Sequence, residues 1–237
     1  MRKKAAFTLL AGSAAMAISM IVAPAALAAT DTWSVSPSGS YTASLNTGTT
    51  TILKNTTTDL TLSCTSSAVA GSLVSSATGS PATLGTITSV TWSTCTGLGG
   101  LVSAGSATGN ATATDPWDIN GVSYSSTVDD GQTTGTITGT ASTGVGATLN
   151  LTIAGSSCTA TVGGTTTAVG SAAALYGNTN KLLAVTGTTN LKVLTSDCTG
   201  LSVGNGVSFY TSPTSTAGTT ITHGYAPSTS PTITETS

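Results

Sequence analysis

The chain has 237 residues, of which only 6% are charged and 38% are hydrophobic, with four cysteines, one histidine and a formal net charge of −2. Three of its six basic residues fall in the first four positions, so no basic face remains to displace nucleic-acid counterions or to hold an anionic membrane surface. Low charge combined with abundant Val, Ile and Leu also departs from the disordered class, which couples high net charge to low hydrophobicity.

The N-terminus reads MRKKAAFTLLAGSAAMAISMIVAPAALAAT. Arg2, Lys3 and Lys4 precede an apolar run from Ala5 to about Ala23, and Pro24 stands ahead of the small-x-small signal Ala26-Leu27-Ala28. Such a run approaches the ~18 residues of a membrane span. Its small residues and the cleavage signal instead predict a secretory leader over 1–28. The mature chain then keeps Lys54, Lys181 and Lys192 against eight acids, and no later segment reads as a membrane span. The expected location is secreted or extracellular, with retention at the cell surface by non-covalent contacts as one form of it.

Glycine interrupts nearly every window beyond the leader, and threonine makes up about a fifth of the chain. Its β-branch suits a pleated surface and its hydroxyl suits water, so a Thr-rich outer sheet face is expected. Strands are predicted over 41–45 and 50–54, then in DLTLSC, where Leu60, Leu62 and Cys64 alternate. In TITSVTWSTC, Ile87 lies on one parity and Val90 with Trp92 on the other, which predicts a bulge near Ser89 or burial on both faces. A strand over 101–107 follows. Asp130-Gly131 between VSYSSTV and TTGTITGT predicts a hairpin, because Asp-Gly supports the positive backbone angles of a tight turn. Strands over 135–141, 158–162, 182–186, 190–195 and 206–210 complete the pattern, with Leu149, Leu151 and Ile153 alternating in TLNLTI.

The tetrapeptide CTGL occurs at 95–98 and again at 198–201. In each case a strand with an earlier Cys-Thr precedes it, at Cys64 and at Cys158. Four cysteines in an exported chain form a disulfide framework with three connectivities. The duplicated pattern favours Cys64–Cys95 and Cys158–Cys198. In this reading the second cysteine ends a strand, Thr-Gly turns the chain, and Leu98 and Leu201 fold back over the disulfide. No C-x-x-C or H-x-x-x-H spacing supports zinc or redox chemistry, and the sequence implies no cofactor.

These elements predict an all-β fold, an antiparallel β-sandwich over residues 29–211. It comprises two loosely repeated halves, about 41–118 and 133–211, each with one disulfide. Residues 212–237 are rich in Thr, Ser and Pro; a strand at 219–222 and a flexible end beyond Tyr225 are expected there.

Candidates for chemistry are few. His223, the one histidine, lies in TITHGYAP, and no G-x-S-x-G elbow accompanies it. Two carboxylates flanking one glycosidic bond are available as Asp115 with Asp118, in DPWD, or as Asp129 with Asp130, where Asp130 serves the turn. Of the three tryptophans, Trp92 reads as core beside Cys95, leaving Trp33 and Trp117 as candidate ligand contacts for a sugar face. Three Asn sequons, at Asn55, Asn110 and Asn150, carry no weight behind a leader of bacterial style.

The motifs from Leu62 to Ser66, Thr94 to Leu98, Pro116-Trp117, Gly135 to Gly139, Cys158 to Gly163 and Cys198 to Leu201 resemble those of a group of secreted, β-rich actinobacterial proteins with paired cysteines and C-x-G-L motifs. The resemblance spans most of 60–210 and implies export and a β-fold, but no activity. The sequence reading is therefore a secreted non-enzymatic protein, structural or binding at the cell surface or to an extracellular polysaccharide, with self-association through Thr-rich sheet edges a further expectation. The alternatives are a carbohydrate-active hydrolase using Asp115 or Asp118, and a secreted enzyme inhibitor.

Overall fold

The computed structural model describes residues 31–140 and 142–236, and the predicted leader at 1–28 lies outside them. The described residues form seventeen β-strands and no helix. All pairings between these strands are antiparallel. Period-two patterning drives them locally: in the strand Gly146–Ile153, Ala147, Leu149, Leu151 and Ile153 are buried, while Asn150 between them is exposed.

Two long strands organise the rest. β4 (Thr61–Leu73) and β6 (Ala82–Gly97) pair from Leu62↔Gly97 to Leu73↔Gly85. The N-terminal half of β6 also pairs with β8 (Trp117–Ser125). From there the sheet runs through β9 (Gln132–Gly139), β12 (Ser171–Gly177), β13 (Leu182–Thr189), β16 (Tyr225–Pro227) and β2 (Gly39–Leu45), back to the C-terminal half of β4. These eight strands close a barrel.

The other halves of β4 and β6 take different neighbours. β6 continues into β7 (Val102–Gly109), β10 (Gly146–Ile153), β11 (Ser156–Gly163) and β14 (Lys192–Ser196). On the opposite side, β4 takes β3 (Thr50–Asn55) and then β15 (Val207–Ser212). A bridge between Lys192 and Gly206 joins the outer strands, supported by Val207 N donating to Leu191 O and Val193 N to Asn205 O, both at 2.9 Å. The extra strands thus curl into a second ring that shares β4 and β6 with the first.

The expected sandwich is therefore corrected to a closed barrel with additional strands. Alternation reports that one face of a strand is buried, but not whether the sheet closes on itself. The repeated sequence halves do not build separate halves of the fold either, since the first ring draws strands from Gly39 through Pro227. The bulge expected near Ser89 is present: Ala70 faces Ser89 and Gly71 faces Ile87, leaving Thr88 as the extra residue. The predicted hairpin is β8–β9, with positive φ at Asp129, Asp130 and Gly131.

A three-stranded sheet of β1 (Thr32–Ser36), β5 (Ser76–Thr78) and β17 (Thr232–Thr236) plugs one end of the first ring. Its Trp33, Val35 and Ile233 pack with Ala82, Leu84 and Tyr176 of the barrel. The segment 212–237, expected from composition to be partly flexible, supplies β16 and β17 and buries Ile221, Tyr225 and Ile233. The expected strand at 219–222 is instead a tethered loop. Gln132 donates to Thr219 O and accepts from Gly218 N, both at 2.8 Å, and the buried Asp129 carboxylate accepts from Ile221 N at 3.1 Å. These partners lie 86 to 92 residues away, so local composition carries no trace of them.

Candidate functional site

Both disulfides form in the favoured pairing, Cys64–Cys95 and Cys158–Cys198. Cys64 and Cys95 are direct cross-strand partners on β4 and β6, while Cys158 on β11 reaches the turn after β14. Each therefore lies within one of the two predicted sequence halves, 41–118 and 133–211, and both staple strands of the second ring. Leu98 and Leu201 are buried in the core, at 0% and 2% exposure. The Leu60 side chain lies close to both turns, near Gly99 just after the first CTGL and near Gly200 within the second. Asp197 lies with Cys158 and Cys198 in a cluster of metal-ligand type. The two sulfurs are joined to each other, however, and the Asp197 carboxylate accepts from Thr159 N.

Trp33 and Trp117 are buried, at 0% and 5% exposure, so neither presents an indole face to a ligand outside the protein. Trp33 Nε1 donates to Gly79 O at 3.0 Å within the plug. Trp117 Nε1 donates to Asn110 Oδ1 at 2.9 Å, and the same oxygen accepts from Gly146 N. Trp117, a candidate ligand contact in the sequence, instead opens β8 and lines the interior of the barrel.

Asp115 is exposed in a turn closed by its own amide to Thr112 Oγ1, 3.0 Å. Asp118 lies on β8 in a cross-strand row with Ser40, Ser72, Thr86, Thr138, Ser171 and Thr189, all at least partly exposed. This row belts the outside of the first ring with hydroxyls, and Ser72–Thr86 and Ser171–Thr189 hydrogen-bond along it. His223 Nδ1 shares a hydrogen bond with its chain neighbour Thr222, 2.9 Å.

The outer surface is concave where β4 and β6 change partners. β2 leaves β4 at Val69 and β3 begins at Cys64, while β8 leaves β6 at Ile87 and β7 begins at Thr91. At that level lies a groove of about 500 Å³, lined by the hydroxyl-bearing residues Thr42, Ser44, Ser67, Ser89, Thr91 and Ser228 together with Ala43, Ala68, Val69, Ala70 and Ala226. Ser67 Oγ accepts from Leu45 N at 3.1 Å, and Ser228 Oγ from Thr42 N at 3.2 Å, which fixes two of the six. Neither Asp115 nor Asp118 lines it.

Inside, the first ring encloses a cavity of about 80 Å³ and the second one of about 30 Å³. Trp92, Trp117, Val145 and Phe209 wall both, with Trp92 and Phe209 in edge contact at 5.0 Å. Trp92 Nε1 donates to Tyr225 Oη at 2.8 Å, and Tyr225 Oη shares a second hydrogen bond with Thr51 Oγ1, 2.9 Å away. Burial pushes the Tyr225 phenol up to about 12 despite the opposing effect of these two hydrogen bonds. Burial likewise raises Tyr41 and Tyr176, so the phenols of the lumen are hydrogen-bonding groups and not bases.

No family model matches the chain, and neither a curated protein nor a solved structure does.

Proposed function

We propose that the protein acts outside the cell as a non-enzymatic binding module for a neutral polysaccharide, held in the hydroxyl groove between the two rings. The observation that carries this reading is the groove itself: about 500 Å³, with six Ser and Thr residues and no charged residue in its lining. A groove of that volume lies within the range of ligand sites, ~300–1,000 Å³. Hydroxyls that donate and accept suit the hydroxyls of an uncharged sugar, whereas a charged ligand finds no counter-charge there. Two disulfides support an oxidising location. The hydroxyl belt around the first ring contrasts with the apolar outer band of a membrane barrel. The resemblance to exported actinobacterial proteins implies the same location.

The test is retention of the oxidised mature protein on insoluble peptidoglycan, chitin and cellulose. Ala68 is exposed on the groove floor, paired across from Thr91. Ala68→Glu adds bulk and charge there without touching the core. Saturable retention on one polymer, lost in this variant at unchanged melting temperature, is the expected result. Absence of retention on all three, or retention indifferent to Ala68→Glu, removes the groove as a glycan site.

A further inference from the structure

The outer groove has a direction. On β4, Ser67 and Val69 are buried while Ser66, Ala68, Ala70 and Ser72 face out, so this strand offers a floor of small side chains. Thr42 and Ser44 of β2 flank the floor on one side, and Ser89 and Thr91 of β6 on the other. They stand in two cross-strand rows. In the first, Thr42 faces Ala70 and Ala70 faces Ser89, and Ser228 adds a hydroxyl beside Thr42, to whose carbonyl its own amide donates at 2.7 Å. In the second, Ala68 faces Thr91, and Leu45 N donating to Ser67 Oγ holds the neighbouring Ser44 alongside. Each row thus has an alanine methyl between two hydroxyl-bearing walls.

Sheet geometry sets the dimensions. The rows lie about 7 Å apart along the strand, and the walls about 10 Å apart across it. Beyond the rows the outward residues are Ser72 with Thr86 at one end and Ser66 with Ser93 at the other, so no large side chain of β4 or β6 closes the trough. From Ser66 to Ser72 the strand rises about 20 Å, longer than a single sugar.

A pyranose with equatorial substituents is apolar on its faces and polar around its rim, the same partition as a methyl floor between hydroxyl walls. A β-1,4-linked chain of such rings is extended and flat, and it can follow an extended strand; an α-1,4-linked chain coils away from one. We infer that the trough along β4 binds the interior of an extended, β-1,4-linked chain of neutral pyranoses, aligned with the strand, and not a chain end or a single sugar. This inference rests on the groove being a glycan site.

Cello-, chito- and malto-oligosaccharides from disaccharide to hexasaccharide are titrated calorimetrically into the oxidised mature protein. Affinity for a β-linked series is expected to rise about threefold to tenfold for each further hydrogen bond made along the trough, and then to level off. Reducing the end sugar of the hexasaccharide to its alditol should change nothing, and the malto series should not bind. Ser66→Leu raises the floor at one end without touching the core. It is expected to weaken the hexasaccharide about threefold to tenfold and to leave the disaccharide unchanged. Ser93→Leu, at the position paired with Ser66, repeats the block should Ser66→Leu fold poorly. Affinity independent of length, loss of binding on end reduction, equal binding of the malto series, or a hexasaccharide indifferent to both Leu variants overturns the inference and leaves the groove as a glycan site. Absence of binding by every β-linked hexasaccharide overturns it as well, and if no polymer is retained either, the groove reading falls with it.

Discussion

The side-chain amide of Asn178 pairs with the backbone of Ile233 in both directions, accepting from Ile233 N at 2.9 Å and donating to Ile233 O at 2.7 Å. It thereby does for the outer edge of β17 what a neighbouring strand would do, and Asn178 is itself buried in the turn between β12 and β13. Together with Tyr176 on Pro231 and Lys181 on Thr232, it latches the plug to the barrel. Asn178→Ala leaves both backbone groups of Ile233 unsatisfied and is expected to cost about 1–3 kcal/mol. Hydrogen exchange should show β17 losing protection first, and a loss spread evenly over the barrel would contradict the latch.

The two CTGL corners differ in what their glycines tolerate. Gly97 has φ +137°, and a Cβ there would stand 2.3 Å from Thr61 O, a backbone atom that cannot yield. Gly200 has φ +89°, and its nearest neighbour would be a Leu60 methyl at 3.6 Å. Gly200→Ala meets only the left-handed backbone penalty, about 1–2 kcal/mol. Gly97→Ala is expected to lower the denaturation midpoint distinctly more, because strain and collision add.

Both staples belong to the second ring, so reduction should act unevenly. The closed loops span 31 and 40 residues, worth about 3–4 kcal/mol each in the chain-entropy model. Replacing all four cysteines by Ser is expected to raise exchange in β7, β10, β11 and β14 while β8, β9 and β12 keep more of their protection. Equal loss in both rings would mean that they unfold as one unit.

The plug also carries a pH dependence. Burial, and then the nearby Asp31 carboxylate, raise Glu235 above its ordinary value. A carboxyl that binds its proton more tightly folded than unfolded favours the folded state increasingly as pH falls through its folded value, and this contribution is lost above it. The exposed Lys54–Asp59 pair at 2.8 Å has the opposite acid behaviour, since Asp59 is lowered by its hydrogen bond to Lys54 and that small support disappears as pH falls through the folded Asp59 value. Protection factors of β1 and β17 should therefore rise relative to β3 on mild acidification. Asp31→Asn should reduce the rise.

Removing Trp33 or Trp117 tests the revised role of these residues. Each is expected to cost about 3–5 kcal/mol as Ala, the range for emptying a buried aromatic site. Any loss of polymer retention in these variants should track the fraction unfolded, measured by near-UV circular dichroism, in contrast to Ala68→Glu.

The all-β class, the bulge beside Ser89, the β8–β9 hairpin and the disulfide pairing were legible because each is written locally. Alternating Leu in TLNLTI, a parity switch across Ile87 and Val90, Asp130-Gly131 and a duplicated Cys-Thr need only neighbouring residues to be read. Closure of the barrel was decided elsewhere. It depends on β4 and β6 being long enough to hold different partners at their two ends, a property of pairing and not of pattern. The burial of Trp33 and Trp117, and the order in residues 212–236, follow from the same closure. A tryptophan near a terminus or in a Pro-Trp turn looks free until the plug and barrel wall surround it, and a Thr/Pro stretch looks loose until Asp129, Gln132 and Asn178 bind its backbone. The alternation that marks Thr133, Gly135 and Ile137 as one face was present in QTTGTITG, but only a ring closed around that face turns a threonine's ordinary alternation into a buried hydroxyl with no hydrogen-bond partner among the described residues.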